Sequence, residues 1–124
     1  MRLLLDTQVI LWQVREPDRL GSAAVEAIDA AHDVRLSAVS FIEIGIKAAT
    51  GKLPVHPALR QAARSADLLD VTAEHGLALA TLPLHHRDPF DRLLIAQARA
   101  EGLTVVTSDA QFAKYDVPVI DARA

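Results

Sequence analysis

The chain is 124 residues long, 51 % hydrophobic, and carries a formal net charge of −3. That length and apolar content describe one domain over residues 1–124 with a single sizeable core, not a disordered chain. The acidic balance gives no global basic signature for nucleic acid, and the absence of cysteine excludes disulfides, thiolate zinc sites and cysteine nucleophiles.

The N-terminal stretch MRLLLD has only three leucines before Asp6, too short a run for a secretory leader. No stretch is long and apolar enough to span a bilayer. The expectation is a soluble, cytoplasmic protein with no membrane partner.

Taken in chain order, Leu3-Leu4-Leu5 has the continuous apolar pattern of a strand buried on both faces. It stops at Asp6. Val9 to Val14 reads as an apolar helix, and Ser22 is placed to cap a second one carrying Val25 and Ile28. Val34 to Ser37 is a second strand, feeding an apolar helix over 37–51 that Gly51 closes. KLPVHP is a connector, and Pro57 opens the helix containing Leu59 and Ala62. Leu68 to Val71 reads as a short strand, with Thr72 capping a helix from Ala73 to Ala80. The stretch HHRDPFDRLLIAQA, residues 85–98, begins a helix that ends near Gly102. Leu103 to Val106 is a strand, a short helix surrounds Phe112, and Val117 to Ile120 is a last strand whose proline suits an edge. Short strands alternating with helices predict an α/β fold, a three-layer α/β/α sandwich with a mostly parallel central sheet.

In such a fold the end of a strand and the start of the following helix share one sheet edge, where ligand sites form. Asp6 ends the first strand and Asp109 follows the strand LTVV. Glu43 falls in the first turn of a helix begun near Ser40, and Asp91 in the first turn of one begun near Asp88. Four carboxylates on one rim raise each other's pKa, and a divalent cation resolves that conflict. An all-oxygen set favours Mg²⁺ or Mn²⁺ over zinc.

Helix capping is the competing reading for each acid singly. Ser40 to Glu43 fits a capping box, Glu43 can pair with Lys47 one turn on, and Asp88 before Pro89 is a good N-cap. Ser108-Asp109 also suits a cap. Four independent caps need not share an edge, whereas a metal site requires it. Asp91 has Leu94, Ile95 and Ala98 on its own helix face, so it points toward the sheet, and Asp88 is the cap. His85 and His86 suit Mg²⁺ poorly and are read as flanking the site, orienting substrate or occupying the loop. Trp12 is read as core or partner surface.

With those residues in view, LLLDT, SFIE, DPFDRLLIAQA and LTVVTSD resemble, in order, the acidic motifs of PIN-domain ribonucleases. The likeness spans essentially the whole chain and is nearest to the VapC-type toxins of bacterial toxin–antitoxin modules. The resemblance implies a PIN-like fold and an endoribonuclease that hydrolyses RNA with Mg²⁺ or Mn²⁺, leaving a 3′-hydroxyl and a 5′-phosphate. It also implies inhibition by a cognate antitoxin and a homodimer. It carries metal-binding and catalytic roles onto Asp6, Glu43, Asp91 and Asp109, with Asp6 and Asp91 as direct ligands.

Thr7, Ser40 and Thr107 are expected to hydrogen-bond these acids from behind. Arg87, Arg92 and Lys47 are the nearest candidates for contacts to the RNA backbone, against an ordinary reading as solvated surface. A HAD-like phosphatase expects a second Asp two residues after the first, where this chain has Gln8. A receiver domain expects adjacent N-terminal acids, and a dinucleotide-binding domain a glycine-rich turn that is absent. A non-catalytic PIN-like module that binds RNA or protein is the remaining alternative. The RNA target is not legible in the sequence.

Overall fold

The computed structural model describes residues 1–124, and its sheet is built outward from the leucine run. Strand β1 (Arg2–Leu5) pairs on one side with β2 (Asp33–Ser37) and on the other with β4 (Thr104–Thr107). Strands β3 (Asp67–Leu69) and β5 (Val119–Asp121) form the two edges. The order is β3-β2-β1-β4-β5, and all four pairings are parallel, so the expected mostly parallel sheet is wholly parallel.

Alternation along β1 divides the core into two layers. Leu3 and Leu5 join Leu36, Val106, Val9, Ile10 and Trp12 on one face. Leu4 joins Val105, Leu94, Ile95, Ala98 and Phe112 on the other. The central leucines are essentially inaccessible to solvent, which is what a strand covered on both sides requires.

The helices are α1 (Thr7–Arg15), α2 (Ser22–Ala30), α3 (Ala38–Ala49), α4 (Pro57–Ser65), α5 (Ala73–Ala78) and α6 (Pro89–Glu101). Several ends follow the expected local chemistry. Pro57 and Pro89 occupy first-turn positions, Thr72 caps α5, Asp88 caps α6, and Gly102 closes α6 at φ 66.

Other ends differ from expectation. Helix α3 starts after Ser37, whose hydroxyl accepts from the Val39 N–H, so Ser40 lies inside the helix and caps nothing. Ser22 provides no cap for α2. There the Ala23 and Ala24 N–H groups donate to the main-chain oxygen of Ala124. A Cβ at Gly21 would lie 1.8 Å from that oxygen, which explains a glycine at the junction.

Pro118 precedes β5 instead of lying within it, and its carbonyl accepts from the Val105 N–H. The short helix around Phe112 is a 3-10 turn (Ala110–Lys114), and a further 3-10 turn (Pro17–Arg19) was not expected. No helix is long and apolar enough to cross a membrane.

From β1 the chain proceeds one way to β2 and β3, while β4 and β5 lie on the opposite side. The carboxyl ends of β1 and β4 therefore flank the point where the winding reverses, the position at which open parallel sheets form their crevice.

Candidate metal centre

That crevice is a cavity of about 270 Å³. Asp6, Glu43, Asp91 and Asp109, each supplied by a different element, all line it, together with Asp88, Lys47, Thr7, Gln8, Ser108 and Leu11. Five carboxylates against one lysine make it strongly acidic. The acids ring the space without any three of them converging on a common point, so holding an ion requires their side chains to turn inward.

Each acid has a distinct setting. Asp6 follows β1 directly and is buried. Its Oδ2 accepts from the Thr107 hydroxyl at 2.7 Å, and it makes no side-chain cap to α1. Burial, opposed by the Thr107 hydrogen bond, lifts its pKa to about 6.

Asp91 sits in the first turn of α6, facing inward, with a side chain only 15 % exposed. Burial raises its pKa to about 8, with further contributions from Asp6, Asp88, Asp109 and Glu43. Asp88 is the cap: its Oδ1 accepts from the Phe90 and Asp91 N–H groups. The two aspartates thus divide as the helix periodicity indicates.

Glu43 is buried in the second turn of α3 and belongs to no capping box. Its Oε2 accepts from Lys47 Nζ at 2.7 Å, whereas its Oε1 is buried with no hydrogen-bond partner. An unpartnered buried carboxylate oxygen is costly unless another group satisfies it. Asp109 uses Oδ1 to accept from the Gln111 N–H, as the N-cap of the 3-10 turn. The capping reading therefore holds for one oxygen of Asp109 and leaves the other for the cavity.

Of the three hydroxyls expected to hydrogen-bond the acids, that of Thr107 does so. Thr107 binds Asp6, and its oxygen accepts from the Asp109 N–H. Thr7 donates to Ser40 at 2.9 Å, a buried bond that ties α1 to α3 beneath Asp6 and Glu43 without touching either carboxylate.

The three basic residues separate. Lys47 lines the cavity, and its hydrogen bond to Glu43 raises its pKa. Arg87 is exposed on the loop before α6 and is not part of the cavity wall. Arg92 is the correction. It is buried, and its guanidinium donates to the carbonyls of Pro83, Leu82 and Leu79 and to the Tyr115 hydroxyl. A guanidinium committed to loop carbonyls is not a backbone contact for RNA.

Arg92→Ala is expected to destabilise the fold by about 2–4 kcal/mol, because several carbonyls lose their donor together. Urea denaturation reads this directly. An unchanged midpoint combined with weaker RNA binding would return Arg92 to the substrate surface.

His86 lies against the site. Its Nε2 is 3.3 Å from Asp91 Oδ2, and its Nδ1 is 2.8 Å from the Tyr115 hydroxyl. His85 packs edge-on against the same tyrosine and lies in the exposed loop. Nothing in the spacing of the sequence links Tyr115 to His86, 29 positions earlier.

The donor set suits a hard divalent cation. It is made of carboxylate oxygens, two acids are held by burial well above their ordinary pKa, and the orphaned Oε1 of Glu43 belongs to one of the set. Fold and site together define a parallel α/β domain with an acidic crevice at its switch point. The chain belongs to the PIN domain family, which it matches over residues 3–118.

Among characterised proteins it is 31 % identical over 121 residues to Ribonuclease VapC22 of Mycobacterium tuberculosis H37Rv, covering 94 % of this chain and 93 % of that one. The same fold occurs in FitAcB from Neisseria gonorrhoeae, with a TM-score of 0.67 at 22 % identity over 97 % of each chain. It occurs also in VapBC2 from Rickettsia felis, determined bound to a DNA fragment from its promoter. There the TM-score is 0.71 at 16 % identity, over 97 % of this chain and 98 % of that one.

Proposed function

We propose that the protein is a VapC-type endoribonuclease, the toxin of a toxin–antitoxin module, which cuts RNA with Mg²⁺ or Mn²⁺ held by Asp6, Glu43, Asp91 and Asp109. The observation that carries this reading is the gathering of these four acids, from four separate elements, around one cavity at the switch point. Support for the nuclease comes from the relative described as a ribonuclease. Support for an antitoxin partner comes from a toxin–antitoxin complex from Klebsiella pneumoniae that shares the fold. One domain, assembled as a homodimer, is the working arrangement.

A divalent ion bound here supplies Lewis-acid stabilisation of charge on the scissile phosphate and lowers the pKa of a water. The chain does the rest. Thr107 fixes Oδ2 of Asp6. One oxygen of Glu43 is tethered to Lys47 and one of Asp109 to the Gln111 N–H, which leaves the buried, unpartnered Oε1 of Glu43 and the second oxygen of Asp109 as the atoms that would hold the ion. Lys47 is the one cation in the cavity wall. It partly offsets the acids and is placed to donate to a phosphate oxygen of the entering strand.

The test uses purified protein and structured RNA. Cleavage with Mg²⁺ or Mn²⁺, abolished by EDTA and leaving 5′-phosphate ends, is the expected result. RNA binding without cleavage would favour the non-catalytic module. For the toxin role, expression alone should slow growth and co-expression of the antitoxin should restore it.

A further inference from the structure

The loop before α6 holds a hydrogen-bonded chain that ends on Asp91. Its members are Arg92, Tyr115 and His86, drawn from α6, from the segment after the 3-10 turn and from the loop itself. The directions of these bonds follow from counting protons. Arg92 Nη1 donates to the Tyr115 oxygen at 3.2 Å, and the His86 main-chain N–H donates to it at 3.3 Å. Both groups are donors only. The Tyr115 oxygen is thereby used as an acceptor, and its single proton is left to donate along the 2.8 Å bond to His86 Nδ1.

An Nδ1 that accepts carries no proton. The neutral imidazole then bears its hydrogen on Nε2, which faces Asp91 Oδ2 at 3.3 Å. This assigns the His86 Nε2–H as the donor and Asp91 Oδ2 as the acceptor. His86 is held on three sides: the ring by the tyrosine hydroxyl, the backbone by the same oxygen, and the ring face by the edge-on contact with Tyr115. The tyrosine in turn is buried and accepts from an arginine that is itself buried and bonded to the Pro83 and Leu82 carbonyls.

We propose that His86 is the positioning residue for Asp91: its Nε2–H, set by Tyr115 and Arg92, holds Oδ2 and leaves Oδ1 free for a divalent cation. The inference rests on the metal-dependent reading of the cavity. It gives the buried arginine a use that the catalytic reading alone does not, since Arg92 orders Asp91 through two intermediaries. A histidine donating to an acid from behind fixes the orientation of that acid, in the way that outer hydrogen bonds orient the ligands of other metal sites.

Three variants and two readouts that do not depend on RNA cleavage test it. The probe is Mn²⁺ alone, with free ion followed by electron paramagnetic resonance, and the tautomer is read from ring ¹⁵N shifts of the folded protein in EDTA. Wild type is expected to show an unprotonated Nδ1 and a protonated Nε2 on His86. His86→Ala should weaken Mn²⁺ binding by about tenfold or more. His86→Gln, whose amide can donate from a similar position, should recover most of that loss. Tyr115→Phe should release the tautomer preference and weaken binding by a smaller factor.

A protonated Nδ1 in wild type would overturn the assignment. So would wild-type Mn²⁺ affinity in a folded His86→Ala protein, or a His86→Gln protein as weak as the alanine variant. A wild type that binds no Mn²⁺ overturns the functional reading and the proposal together, whereas a wild type that binds it and ignores His86→Ala overturns the proposal alone.

Discussion

Asp91→Asn and Asp6→Asn each lower RNA cleavage by at least about a thousandfold, while far-UV circular dichroism and the urea midpoint stay close to wild type or rise. The reasoning is local. Both side chains face the cavity, and neither caps a helix with its carboxylate. Asparagine keeps the size and one acceptor oxygen, so the Thr107 hydroxyl can still donate at position 6 and His86 at position 91. What disappears is charge, and with it the means to hold a divalent ion against competition from water. Gel-resolved cleavage under single-turnover conditions measures the effect. A variant that cuts at the wild-type rate would remove that acid from the site.

A second large effect concerns stability with pH. In EDTA, wild type is expected to lose thermal stability steadily from pH 5 to pH 9. The sign follows from the acids. Burial raises Asp6 to about 6 and Asp91 to about 8, from an ordinary value of 3.8. Between those limits the folded state binds more protons than the unfolded state, so stability falls as pH rises.

Their favourable contribution is complete below 3.8 and is lost as pH passes through about 6 for Asp6 and about 8 for Asp91. Asp91→Asn removes the later part of that loss. At pH 9 it should melt several degrees above wild type, about 1–2 kcal/mol, and at pH 5 the two should coincide. Mn²⁺ should stabilise wild type at pH 8 and the variant far less. Differential scanning calorimetry across this range decides it. A wild-type melting temperature that rises toward pH 9 would contradict the burial of these acids.

The parts of the molecule that were legible in the sequence are those fixed by local pattern. Leu3-Leu4-Leu5 announces a doubly covered strand, and the structure puts it at the centre of the sheet. Leu94, Ile95 and Ala98 turn Asp91 inward, and Pro89 after Asp88 marks the cap. Alternating strands and helices then bring the ends of β1 and β4 to one edge, and the acids with them.

What the sequence withheld depends on contacts between distant segments. That Ser37 and not Ser40 caps α3 depends on a hydroxyl that both accepts from the Val39 N–H and donates to buried Gln97, 60 positions away. Helix α2 is capped by main-chain oxygen at the far end of the chain, which no local rule announces. Arg92 has the composition of a nucleic-acid contact and the surroundings of a structural brace. Only the return of the chain over the loop carbonyls and Tyr115 separates the two. His86 was one of two adjacent histidines with equal claims, and the tyrosine hydroxyl that distinguishes them comes from after the 3-10 turn.

The central claim is that the four acids hold a divalent cation that drives RNA cleavage. Its most direct measurement is a Mn²⁺ titration of EDTA-stripped protein in which bound ion and cleavage of a labelled structured RNA are followed on the same samples. Cleavage should rise in proportion to occupancy in wild type, and Asp91→Asn should show neither at the same concentrations. Cleavage by the stripped protein without added metal, or full cleavage by Asp91→Asn, would contradict it.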